Sequence, residues 1–447
     1  METVMELNTQ FRFVIFAVVV VSSLGFSASV TATISQPKAT QVTLDDNATL
    51  QDYLAYAALH NPGLEAAFNQ WKASLQRIPQ ARALPDPKFE YKYFIEEIET
   101  RVGPQKQSFT LKQAFPWVGK LDLAGDVAGQ AALAAQQRYE AARQRLFYEV
   151  KNAYYEYAYL ARAIEITREN VNLVKHLESV ALSRYQASAG SHPAMIRAQV
   201  EWGKLDDRLR TLEDLRKPLC ALLNAALNRP TKAPLPWPGP MAFDPIVVDE
   251  DTLLTSLAQS NPELKAMGFD VTKSERSIRL ARKNTRPDFV LGLSAIDTGS
   301  AVYGTPPDSG KDPVIASLSM TIPLWRGKNK AAIREAKLRH LVAQKKKKNA
   351  LNRLSGQFQM AVYELQDAQR KISLYSDTLL PKANESLKVT ESAFRGGSGN
   401  FTDLIETQRV LLEFALARER ALAHYAQSQA KVEWLVGRPM NGSENHE

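Results

Sequence analysis

Reactive side chains are scarce in this sequence. One cysteine, Cys220, stands among 447 residues, which excludes an intrachain disulfide and any cysteine-based zinc site. Six histidines (His60, His176, His192, His340, His424, His446) are scattered singly, with no pair at metal-ligand spacing. A lone histidine of this kind is by default structural or solvated. No GxSxG, HExxH, P-loop or GxGxxG motif occurs, so neither an enzyme nor a cofactor site is expected. Charge of one sign is also in short supply. Lys and Arg number 56 against 48 Asp and Glu, a net +8 with no arm or patch of the nucleic-acid type, and no nucleic-acid partner is expected. The run Lys345 to Lys348 reads as a solvated helix face. With 45% hydrophobic and 23% charged residues, the chain is apolar enough to fold and too polar for an ordinary helical membrane protein.

A hydrophobic run of membrane-spanning length is missing as well. Phe13 to Leu24 is apolar over twelve residues, too few to span a bilayer comfortably, and small residues follow through Ala32. Residues 1–32 therefore read as a secretory signal peptide cleaved between Ala28 and Ala32, although Glu2 and Glu6 outweigh Arg12. A retained N-terminal anchor is the alternative. No cysteine directly follows the apolar stretch, so a lipid-anchored mature N-terminus is not expected.

What the chain does have is an internal repeat. Asn61-Pro62-Gly63-Leu64 returns as Asn261-Pro262-Glu263-Leu264, and Pro85-Asp86-Pro87-Lys88-Phe89 as Pro287-Asp288-Phe289. Phe115-Pro116-Trp117-Val118-Gly119-Lys120 returns as Ile322-Pro323-Leu324-Trp325-Arg326-Gly327-Lys328, and Asn228-Arg229-Pro230 as Gly437-Arg438-Pro439. The offset drifts from 200 (Asn61 to Asn261) to 209 (Asn228 to Gly437). Two similar halves follow, at 44–230 and 251–440, with a proline-rich extended connector at 231–250 and a flexible tail at 441–447.

Each half is expected to run helix, two strands, very long helix, helix. In the first, Val150, Tyr157, Ile164 and Val171 recur every seven residues, with Ala153, Leu160, Thr167, Val174 and Ala181 at the complementary position. In the second, Leu351, Phe358, Leu365, Ile372 and Leu379 do the same, with Leu354, Ala361, Ala368 and Tyr375 between them. This pattern predicts coiled-coil-like packing of long helices at 118–187 and 327–395, the second disturbed at Pro381, with partners at 193–226 and 402–436. A helix over 118–187 is about 105 Å long at ~1.5 Å per residue, more than a compact globule accommodates. Strands are predicted at 88–97, 106–115, 288–296 and 313–322. Each alternates and has one apolar face, the size and pattern of a tilted transmembrane strand. A soluble sandwich edge fits the strands alone equally well. The signal segment and the lack of further strands favour the membrane. Four strands cannot close a membrane barrel, so the chain must pool them with copies of itself.

Through these features the sequence resembles the TolC-like outer-membrane efflux channels, closest to their heavy-metal branch. The segment from Phe394 to Gln408 is similar to the family's tip, with its aromatic-x-x-Gly and Asp-Leu-Leu-x-x-Gln elements, and Gln113 to Lys120 to its strand-to-helix junction. The resemblance implies a fold that is mainly α with a transmembrane β part. A homotrimer would close a 12-stranded barrel continued by a periplasmic α-helical barrel. It implies an outer-membrane location extending into the periplasm, with outer-membrane lipid around the barrel. The implied role is the passive exit duct of a tripartite efflux system, with a periplasmic adaptor and an inner-membrane pump as partners and heavy-metal cations or small toxic compounds as cargo. Twelve helices at ~9 Å spacing would enclose a lumen of about 25 Å. The resemblance further implies a periplasmic gate at Asp403 and Glu406, three apart on one helical face. A first-turn aspartate favoured by the helix dipole is the alternative account of Asp403. Arg197, in the equivalent first-half place, is expected to bear on the gate's net charge. Adaptor contacts would fall on the hairpin tips Ala189, Gly190, Ser191 and Gly396, Gly397, Ser398, whose glycines also suit helix caps. A periplasmic coiled-coil scaffold or adaptor is the competing reading.

Overall fold

The computed structural model describes residue 44 and residues 48–186 and 192–440. The expected signal segment 1–32, the tip residues Ala189, Gly190 and Ser191, and the tail 441–447 lie outside the described residues.

The first half contains α1 (Leu50–His60), α2 (Pro62–Arg82), β1 (Lys88–Ile98), β2 (Gln105–Phe115), α3 (Lys120–Gln186) and α4 (His192–Ala226). The second contains α5 (Glu250–Ser260), α6 (Pro262–Lys283), β3 (Phe289–Thr298), β4 (Val314–Met320), α7 (Arg326–Ser373), α8 (Leu380–Arg395) and α9 (Phe401–Val436). β4 is shorter than expected, being bounded by Pro313 and Pro323, neither of which donates to a ladder. The disturbance expected at Pro381 takes the form of a π segment, Leu374–Leu379, between α7 and α8. A proline cannot donate to the carbonyl four residues back. The wider turn just upstream, where the Leu380 N–H donates to the Tyr375 carbonyl, carries the rod through.

The heptad positions are where the helices meet. Val150, Tyr157, Leu160 and Val174 on α3 are buried, as are Leu354, Phe358, Leu365 and Ile372 on α7. Burying each such side chain stabilises by about 1.5–3 kcal/mol. α2, α4, α6 and α9 all pack on α3, and α6 and α9 also pack on α7.

The two repeated asparagines splice short helices into these rods. Asn61 accepts the Leu64 N–H at 3.0 Å, capping α2, and donates to the Ala226 carbonyl at the end of α4, also at 3.0 Å. Asn261 repeats both bonds, accepting from Leu264 at 3.1 Å and donating to the Leu435 carbonyl of α9 at 2.9 Å. Proline suits the first helical position after the cap, because the N–H it lacks would have no intrahelical partner. Each splice also needs the incoming helix to end in a left-handed turn. Asn228 (φ 56°) and Gly437 (φ 85°) supply it, and a Cβ on Gly437 would sit 3.0 Å from the Ser260 carbonyl oxygen.

The connector is strapped to the rods. The Tyr157 hydroxyl donates to the Leu235 carbonyl at 3.2 Å and its ring stacks on Trp237. In the second half, the Tyr425 hydroxyl donates to the Asp244 carbonyl at 2.7 Å.

All four strands form one antiparallel sheet in the order β1-β2-β3-β4, leaving β1 and β4 as its edges. The register aligns apolar residues in rows across it: Tyr91, Phe109, Ala295 and Val314 in one, Phe89, Leu111, Leu293 and Ala316 in the next. This face is bare, with Phe89 68% and Ile95 92% exposed. Soluble proteins rarely expose so continuous an apolar surface, whereas lipid requires it. The opposite face carries Lys92, Glu90, Lys112, Thr110, Ser294 and Ser317, interrupted by Ile296 and Ile315. There Glu90 pairs with Lys112 at 2.8 Å and Thr110 bonds Ser294 at 2.8 Å.

Candidate functional site

The rods end, away from the strands, in a tight turn between α8 and α9. Phe394, Phe401, Leu404 and Ile405 bury themselves there against Leu177 and Ala181 of α3 and Ala198 of α4. Gly397 takes φ +87°, the left-handed conformation that terminates α8. The Ser398 and Gly399 N–H groups both return to the Ala393 carbonyl, at 3.1 and 2.9 Å. Gly399 is sterically obligatory: a Cβ would lie 2.6 Å from the Phe394 nitrogen. Gly396, Gly397 and Ser398 are exposed around this turn. Arg184 of α3 braces it from below, its guanidinium bonded to the Phe394 carbonyl and 4.9 Å from that residue's ring.

α9 begins at Asn400, whose side chain accepts the Thr402 N–H at 2.9 Å. Its buried stripe, Phe401, Leu404, Ile405 and Gln408, turns Asp403 and Glu406 together to the exposed side. The two carboxylates differ in their neighbours. Glu406 is ion-paired at 2.6 Å with Arg409, one turn further on. Asp403 makes no ion pair among the described residues, and its carbonyl accepts the Thr407 hydroxyl at 2.8 Å. Arg197 does not reach either acid; its guanidinium bonds the Thr402 hydroxyl instead. The cation that engages the acidic face is Arg409, which also bonds the nearly buried Glu201 of α4. The hydrogen bond that Arg409 donates to Glu201 raises the Arg409 pKa above its ordinary value.

Deeper in the same region, fully buried Gln408 donates to Asn170 of α3 at 2.6 Å, and Asn170 in turn donates to the Ile166 carbonyl at 3.0 Å. The tip is thus fastened by polar contacts between α9 and both first-half rods. Among the described residues no group of three or more His, Cys, Asp or Glu side chains is gathered closely enough to hold a metal ion.

This architecture has close parallels. The chain matches the family described as outer membrane efflux protein over residues 54–226 and 253–438, one match in each half. It is 20% identical over 400 residues to the cobalt-zinc-cadmium resistance protein CzcC of Cupriavidus metallidurans, covering 87% of this chain and 90% of that one. Among solved structures, the outer membrane protein VceC of Vibrio cholerae superposes with a TM-score of 0.71 at 16% identity, over 87% of this chain and 96% of VceC. CusC, whose structures address folding and transmembrane channel formation, gives a TM-score of 0.73 at 13% identity, over 89% and 96% of the two chains. Long helical rods, an apolar-faced sheet and a family match spanning both halves lead to one conclusion: the chain belongs to the outer membrane efflux protein family, TolC-like channels of the outer membrane that extend into the periplasm and are not enzymes.

Proposed function

We propose that three copies of this chain close into a duct through which an inner-membrane pump and a periplasmic adaptor discharge heavy-metal cations or small toxic compounds. The observation that carries this reading is the four-stranded sheet, apolar on one bare face and unpaired at both edges. Open edges are not tolerated in lipid, and three such sheets joined edge to edge supply twelve strands, enough for a membrane barrel. The rods would then line a passage continuous with the barrel. Heavy metal as cargo follows the relative named for cobalt, zinc and cadmium resistance.

At the periplasmic end, Asp403 and Glu406 would form stacked rings around the three-fold axis. Carboxylate rings attract cations and resist anions. Because Arg409 partly neutralises Glu406, Asp403 carries most of the ring's field. The exposed turn Gly396, Gly397 and Ser398, with Ala189, Gly190 and Ser191 of the first half, would accept the adaptor. Gly397 is a poor probe of that contact, since any side chain there strains the turn. Gly396 (φ −74°) and Ser398 are better ones.

The test is sensitivity of cells. Deleting the gene should sensitise them to cobalt, zinc and cadmium salts, and restoring it should reverse this only when pump and adaptor are present. Sensitisation to organic toxicants alone would reassign the cargo, and no sensitisation to either class would contradict an efflux role. Gly396→Trp or Ser398→Trp should abolish resistance while the protein still reaches the outer membrane. Unchanged resistance would remove the tip from adaptor binding.

A further inference from the structure

Where the strands meet the rods, residues leaving β2 grip residues entering β3. Lys120, the first residue of α3, is 8% exposed, and its Nζ donates to Asp288 Oδ1 at 2.7 Å and to the Arg286 carbonyl at 3.1 Å. The same carboxylate oxygen accepts the Trp117 N–H at 2.7 Å, and the Trp117 ring stacks on Phe289 with centroids 5.8 Å apart. The grip is possible because β2 and β3 pair antiparallel, with Phe115 opposite Phe289.

Every member of this clasp has a counterpart in the other half. Lys328 and Trp325 follow β4 as Lys120 and Trp117 follow β2, within Pro-Leu-Trp-Arg-Gly-Lys and Pro-Trp-Val-Gly-Lys. Asp86 and Phe89 stand at the start of β1, with Pro87 and Lys88 between them, where Asp288 and Phe289 stand side by side at the start of β3. Yet β4 and β1 are the two edges of the sheet and do not pair within the chain. Lys328 and Asp86 are exposed, and among the described residues neither has an ion pair or a side-chain hydrogen bond. Phe89 and Trp325 are 68% and 77% exposed. The half-clasps therefore lie bare on the two edges that would have to meet.

We infer that assembly repeats the clasp between copies of the chain: β4 of one copy pairs with β1 of the next, Lys328 binds Asp86 of that next copy, and Trp325 covers its Phe89. This rests on the closed-ring reading above and adds to it the residues that select head-to-tail closure. Edge pairing of β1 with β1, or β4 with β4, would leave every half-clasp unanswered, and an unanswered charge beside a desolvated interface is costly. The contact is heterologous, as a ring requires, and not the self-complementary kind.

Charge reversal tests it. In detergent, Asp86→Lys and Lys328→Asp should each lower the temperature at which the oligomer band on a denaturing gel gives way to the monomer, and the double reversal should restore most of that loss. Single variants without effect, or a double variant with the two losses added, would overturn the clasp. A second measurement covers the case in which a reversal blocks folding. In a Cys220→Ser background, Asp86→Cys with Lys328→Cys in one chain should give covalent oligomers with a short bismaleimide, while either cysteine alone should give none. A mass of three chains with no cross-link would refute the clasp and leave the assembly standing, whereas a mass of one chain would refute both.

Discussion

Glu406 is tied to Arg409 while Asp403 is not, so the two carboxylates that share a face of α9 are unequal. Asp403→Ala should therefore change the conducting properties more than Glu406→Ala: a higher single-channel conductance, weaker cation preference and weaker block by multivalent cations in planar bilayers. Equal effects from the two would show that Arg409 does not neutralise its partner. Arg409→Ala has an opposite electrostatic effect, freeing Glu406 and strengthening cation preference. It also strips nearly buried Glu201 of its hydrogen bond, which should cost about 1–3 kcal/mol of local stability. Thermal unfolding of the purified protein would register that loss, and an unchanged midpoint would contradict it. The common face of Asp403 and Glu406 was legible from their spacing of three. The i,i+3 spacing of Glu406 and Arg409 is local as well, but the second partner of Arg409, Glu201, lies 208 residues away in sequence and no local pattern announces it. For Arg197 too, an equivalent position in the repeat does not fix which atom a long side chain reaches: its guanidinium bonds the Thr402 hydroxyl. That Gly399 admits no side chain follows only from the approach of the Phe394 backbone, which its place in the tip segment does not reveal.

Elements were more legible than contacts. The heptads announced the rods, since a seven-residue apolar period has few other readings, and the period-two alternation announced the strands and their apolar face. The repeated Asn-Pro motif marked the duplication, but its work became visible only when α4 and α9 were seen to end against it. That work is separable into two bonds. Asn261→Ala removes both the cap and the link to Leu435 and should cost about 0.5–2 kcal/mol from the cap alone. Asn261→Asp keeps the acceptor for Leu264 and loses the donor to α9, so it should fall between the wild type and Asn261→Ala in thermal stability. If Asn261→Asp equals the wild type, the splice contributes nothing beyond capping. Asn61, with the same pair of bonds in the first half, should give the same order. The π segment before Pro381 escaped sequence reading because a proline announces a disturbance without saying whether the helix bends or widens.

At the scale of the whole molecule, the chain is an unfinished surface. One face of its sheet is apolar and bare, two strand edges are unpaired, and α7 carries exposed Leu338, Leu341, Met360 and Tyr363. Each of these is unfavourable in an isolated copy and would become favourable if sheets joined in lipid and rods joined in a ring, as proposed above. The internal duplication would make such a closure economical to encode, because the contacts that join one half to the other within a chain could be reused between chains. The scaffold reading fails at this scale: a periplasmic coiled coil has no use for a sheet whose exposed face is apolar from β1 to β4. The most direct measurement is the protein mass of the detergent-extracted outer-membrane form, by light scattering corrected for detergent or by native mass spectrometry. The account predicts three chains per particle, and a particle containing a single chain would contradict it.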